Sequence, residues 1–200
     1  ARGRRVQARA TPSFVKSPIG SRDPRPGLAI LSCVRRTDYP LPSTWDRSGL
    51  ADLGFEGFIP LVGLDPHGVP VGHGVYVVLR PDIERSHTLL EENPVTRARL
   101  RKYTLDDLDR RWIAGTPVIY IGKAMGREGL RDRLKPFTRK SGSHSGGRAI
   151  WQLEESDSLL VCWIETPGYR ADRVEDDFID QFKAVHGLIP FANVRERGHH

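Results

Sequence analysis

Arg133 and Glu175 are charged residues set into stretches whose spacing otherwise describes the buried face of a helix. Arg133 falls at helical intervals with Leu130, Leu134 and Phe137. Glu175 stands at i of an i, i+3, i+4, i+7 stripe with Phe178, Ile179 and Phe182. A charge on a core-facing stripe is costly unless a counter-charge or a metal compensates it. An acid and a guanidinium are also the groups that phosphodiester hydrolysis calls for. A carboxylate can hold a Mg²⁺ that keeps most of its waters, and a guanidinium grips two phosphate oxygens at once. Two short aromatic-glycine runs, Gly74-Val75-Tyr76 and Tyr120-Ile121-Gly122, precede them and add two phenols.

The elements that must position these groups follow from local pattern. GVYVVL at 74–79 and PVIYIG at 117–122 are apolar, β-branched runs of strand length, and SLLVCWIE at 158–165 is a third. Residues 127–137 and 171–186 carry helical periodicity, the second stopped by Gly187. Residues 95–114 fit one or two helices with Thr104 as an N-cap before Asp106 and Asp107. Phe55, Phe58, Ile59, Leu61, Val62 and Leu64 form an apolar entry segment that ends in the turn-like Asp65-Pro66-His67-Gly68. Strands alternating with helices around a small sheet give an α/β or α+β class with three strands.

The 200 residues carry 31 Lys and Arg against 25 Asp and Glu, a net charge of +6 and a pI near 9.6. Such a balance makes polyanions the first partners to consider, nucleic acid ahead of membrane. No apolar run approaches the roughly 18 residues of a membrane span. Cys33 and Cys162 lie in no metal-ligand spacing, which argues against a zinc site and suits two reduced thiols in a cytoplasmic protein. Residues 1–45 are rich in Arg, Pro and Ser without periodicity and read as a basic, largely disordered arm. The chain begins at Ala1 and its one methionine is Met125, so the true start is expected upstream. RKSGSHSGGR at 139–148 is a basic Gly/Ser loop with two readings, solvated surface or DNA contact. On the second, Arg139, Lys140 and Arg148 touch phosphates and His144 approaches the leaving group or a base edge.

The ordered set of Gly74-Val75-Tyr76, Tyr120-Ile121-Gly122, Lys123-Ala124, Arg133 and Glu175 resembles the GIY-YIG nuclease superfamily over residues 70–195. The resemblance implies a small, mainly antiparallel three-stranded sheet flanked by helices, with residues 46–200 as the catalytic domain and 80–115 as an insertion. It implies a Mg²⁺- or Mn²⁺-dependent DNA endonuclease of restriction, mobile-element or defence type. Glu175 would hold the metal, Arg133 the scissile phosphate, and Tyr76 would act as base or orient the water. Tyr120 and Lys123 would assist. Asn193 corresponds to the family's C-terminal asparagine and has two readings, a site residue or a turn and backbone cap. Two alternatives stay open: a structure-selective DNA repair nuclease, and a non-cleaving DNA-binding protein on the same scaffold. One site must cut two strands of a duplex, so a homodimer belongs to the expectation.

Overall fold

The strand Gly74–Leu79 is buried at all six positions, which explains why its sequence is continuously apolar instead of alternating. In the computed structural model, which describes residues 35–95, 103–139 and 147–193, this strand (β2) has a partner on each side. The sheet has four strands, β1 (Glu56–Pro60), β2, β3 (Val118–Ala124) and β4 (Leu160–Glu165), in the order β1-β4-β2-β3. Every pairing is antiparallel. The class is mixed α and β as expected, but the count of three strands needs correction.

The strand missing from the sequence reading is β1, at an edge of the sheet. Gly57 and Phe58 both adopt positive φ, and the register with β4 shifts between Gly57 and Ile59. A bulged, mostly exposed edge strand carries no period-two alternation, so its residues read only as an apolar segment. Gly57 is required there because a Cβ would lie 2.7 Å from the Trp163 ring.

Among the described residues four α-helices accompany the sheet: α1 (Arg47–Asp52), α2 (Leu105–Asp109), α3 (Gly129–Leu134) and α4 (Ala171–His186). Thr104 caps α2 by accepting from the Asp107 N–H, and Gly187 ends α4 at φ 82°, both as the sequence suggests. The sheet buries both faces. On one, Tyr76, Val78, Tyr120 and Trp163 pack with Leu130 and Leu134 of α3, then Phe137 and Trp151. On the other, Val75, Val77, Ile121 and Cys162 pack with Val174, Phe178 and Phe182 of α4.

Part of the stretch assigned to the basic arm belongs to this second layer. The Asp177 carboxylate accepts hydrogen bonds from the backbone N–H groups of Arg36 and Thr37 and from the Thr37 hydroxyl. Arg36 also pairs with Asp176, and Tyr39 and Trp45 enter the core against Phe178. The ordered domain therefore starts ahead of residue 46. Residues 1–34 of the expected arm lie outside the described residues.

The described residues between 80 and 115 are held in place by polar groups. Buried Arg80 meets buried Glu155 at 2.9 Å and lies over the Trp112 ring. The buried Gln152 side chain bridges Leu90 and Tyr103. Residues 96–102 of the segment lie outside the described residues. Among the described residues, no helix is long and apolar enough to cross a membrane.

Candidate active site

The two phenols are brought together by strand register. Tyr76 of β2 pairs with Gly122 of β3, and Val78 with Tyr120, so both tyrosines point to the α3 face of the sheet. Their ring centroids are 5.8 Å apart. Gly122 is what allows this: a Cβ there would lie 2.5 Å from Tyr76 Cζ and 2.6 Å from Tyr120 Cε1. The glycine before Tyr76 has the same kind of reason, since a Cβ on Gly74 would lie 2.1 Å from the Ile164 carbonyl oxygen. Each aromatic-glycine motif is thus a packing solution that seats a tyrosine.

Arg133 reaches the same face from α3, with its guanidinium set against both hydroxyls. Tyr76 is fully buried, with Phe137 edge-on to its ring at 6.0 Å. Burial pushes its hydroxyl well above the usual tyrosine range; Tyr120 adds to this and Arg133 opposes it. Burial also raises Tyr120, with Arg133 again opposing and the Glu175 charge adding to the rise. At neutral pH both are neutral phenols, hydrogen-bonding groups rather than phenolates.

Glu175 and Lys123 form a second group on the opposite face. Lys123 pairs with Val75, whose side chain packs on α4. Its ammonium lies 3.1 Å from Glu175 Oε2; the carboxylate side chain is 2 % exposed and that of Lys123 27 %. Arg133 and the phenols lie on the α3 face, while Glu175 belongs to α4, whose apolar residues pack on the other face of the sheet. Two observations join the halves. Tyr120 responds electrostatically to both Arg133 and Glu175. In addition, Lys123 and Arg133 line one pocket of about 380 Å³ past the end of β3, with Met125, Asp132 and Pro136. Those last three were not singled out from the sequence. Their signal was position alone, in the turn leaving the strand and on the helix that follows.

Asn193 takes a structural place. β3 is an edge strand, and its Ile121 peptide groups point away from β2. Asn193 Oδ1 accepts from the Ile121 N–H at 2.9 Å and Asn193 Nδ2 donates to the Ile121 carbonyl at 2.7 Å. Its amide replaces one residue of a missing partner strand, continued by the Ala192 N–H on the Ile119 carbonyl. The residue thus holds the middle of the Tyr120-Ile121-Gly122 run without reaching the phenols.

Of the loop residues, Lys140 and His144 lie outside the described residues, and only the backbone of Arg139 is described, at the end of a 3-10 turn. Arg148 begins another such turn, its carbonyl accepting from Asn93. Phe137, two residues before the loop, stands beside Tyr76, and a Cβ on Gly147 at the loop's far end would lie 3.4 Å from the Phe137 ring.

A hard divalent cation is compatible with this donor set in one form only. Among the described residues no three His, Cys, Asp or Glu side chains gather as a cage. Glu175 would be a single protein ligand, the remaining positions going to water and substrate oxygens, as is common for Mg²⁺. In comparisons with known proteins, no family model, no curated protein and no solved structure matches the chain.

Proposed function

We propose that the protein is an endonuclease that hydrolyses DNA phosphodiester bonds with a Mg²⁺ or Mn²⁺ held by Glu175. The observation that carries the reading is the pocket shared by Lys123 and Arg133, since each cation is backed by a buried partner group. Two cations approaching one recess from opposite faces of a sheet suit a dianionic or monoanionic oxygen cluster such as a phosphodiester.

Arg133 binds the scissile phosphate and offsets the charge that grows on its oxygens as water attacks. Tyr76, neutral and held by its burial, orients the attacking water as a hydrogen-bond partner. Tyr120 and Lys123 fix the polarity around it. When bound, the divalent cation would supply Lewis acidity and stabilise the leaving alkoxide. The basic balance of the chain favours a nucleic-acid substrate and salt-sensitive binding.

The test is relaxation and linearisation of supercoiled plasmid in Mg²⁺. Glu175→Ala and Arg133→Ala are each expected to lower the rate about 10²–10⁴-fold. Cleavage that persists in both purified variants rules the assignment out.

A further inference from the structure

A second recess, of about 520 Å³, opens on the α3 face of the sheet, and the proposed chemistry uses none of its residues. Strand register builds it. Trp163 of β4 pairs with Glu56 of β1 on one side and with Tyr76 of β2 on the other, and Glu165 follows Trp163 by two. Glu56, Trp163 and Glu165 therefore share the face that carries Tyr76. His67, Val69 and, from α3, Arg131 complete the lining. Arg131 Nε donates to the Val69 carbonyl at 3.0 Å, which ties the guanidinium to this loop. Gly72 makes room for an acid, since a Cβ there would lie 1.8 Å from Glu165 Oε1. Among the described residues neither the Glu56 nor the Glu165 carboxylate has a hydrogen-bond or ion-pair partner. The indole N–H of Trp163, a residue only 5 % exposed, is a donor that no described acceptor meets.

We infer that this recess binds the Watson–Crick edge of an unpaired guanine. The inference deepens the proposed function by naming a base that the enzyme holds, and it rests on that reading for the ligand being nucleic acid. Two carboxylates repel a phosphate and Arg131 offsets only one of them, so a base rather than the backbone enters. Carboxylates only accept hydrogen bonds, whereas a guanidinium and an indole N–H only donate them. Of the four DNA bases, guanine alone presents two adjacent donor groups on that edge, its ring N–H and its amine, with a carbonyl oxygen next to them. Adenine and cytosine offer one amine each and thymine one ring N–H, so each leaves a carboxylate without a donor. A duplex hides that edge inside the base pair, so the guanine is flipped out or lies in a single strand. The volume of about 520 Å³ is that of a small-molecule site and admits one base. Helix α3 supplies Arg131 to this recess and Arg133 to the phosphate pocket, which places base and backbone recognition on one short element.

The experiment titrates the isotope-labelled full chain at pH 7, without metal, with deoxyguanosine, deoxyadenosine, deoxycytidine and thymidine. Nuclear magnetic resonance follows the backbone amide signals of Gly68, Val69 and Glu165. A nucleoside carries no phosphate, so the result is independent of hydrolysis. Deoxyguanosine is expected to move these signals and to bind about tenfold or more tightly than the other three. Equal binding of all four, or shifts confined to residues outside the recess, overturns the inference. Glu165→Gln is expected to weaken deoxyguanosine about tenfold, and an unchanged affinity overturns the inference. Should Glu165→Gln not fold, Gly72→Ala carries the same test, because its methyl displaces the Glu165 carboxylate while leaving the acid in the chain. Its affinity is expected to fall several-fold, and native affinity overturns the inference. Guanine-selective binding by a chain that cuts no plasmid supports the recess and removes the nuclease reading. Plasmid cutting without guanine selectivity does the reverse.

Discussion

Asn193 permits a test that separates a catalytic from a supporting role. Replacing it by alanine removes two hydrogen bonds, of 2.9 and 2.7 Å, and strands the Ile121 N–H and carbonyl on the edge of β3. A net hydrogen bond is worth about 1 kcal/mol, and a buried peptide group left unpaired costs about 1–3 kcal/mol, so Asn193→Ala should lose about 2–4 kcal/mol. Asn193→Asp is the sharper probe. One carboxylate oxygen still accepts from the Ile121 N–H, while the other faces the Ile121 carbonyl, oxygen to oxygen. That repulsion favours the protonated acid, which can donate in place of Nδ2, so the folded-state pKa is raised above the unfolded value of about 3.9. A group raised in this way supports the fold fully below its unfolded pKa and loses that support as pH rises through the folded pKa. Urea unfolding at pH 4 and pH 7 should therefore show Asn193→Asp within about 1 kcal/mol of the native chain at pH 4 and close to Asn193→Ala at pH 7. Plasmid cleavage by Asn193→Asp, assayed at a temperature where it remains folded, should stay within about tenfold of native. A variant with native stability at both pH values but cleavage lowered a hundredfold would refute the strand-replacement argument and make Asn193 a participant in the chemistry.

Three further outcomes follow, two of them from the packing of the phenols. In Gly122→Ala the new methyl must enter space within 2.6 Å of both tyrosine rings, so stability should fall by about 1–3 kcal/mol with a parallel loss of cleavage. Gly68→Ala, where nothing lies within 4 Å, should change stability by less than about 0.5 kcal/mol in the same urea titration. Tyr76→Phe should reduce kcat about 10²-fold, and by the same factor at pH 7.5 and pH 9.5, because burial keeps the hydroxyl neutral across that range. A defect that deepens steeply with pH would mean that Tyr76 works as the phenolate.

What the sequence disclosed, and what it withheld, follow from the same physics. Arg133 and Glu175 stood out because a charge in an apolar helical stripe needs a compensating partner, and both have one: the phenols for Arg133, Lys123 for Glu175. Helix α4 was legible to its ends because Gly187 and the Phe178/Phe182 stripe are local signals. Register across strands is not a local signal. Nothing in Tyr120-Ile121-Gly122-Lys123 states that alternate residues turn toward different helices, yet that alternation sends Tyr120 to Arg133 and Lys123 to Glu175. Edge structure is equally nonlocal: β1 hides behind a bulge, and Asn193 completes β3 from 72 residues away. The consequence is specific to an edge strand. A central strand would bury both halves of such a site, whereas β3 ends at the pocket that Lys123 and Arg133 share. The strand that carries the phenol is therefore also the part that joins a buried acid on one face to a guanidinium on the other, and its free edge has to be held by something other than a fifth strand. Asn193 meets that requirement with one side chain, through its two hydrogen bonds to the Ile121 peptide groups.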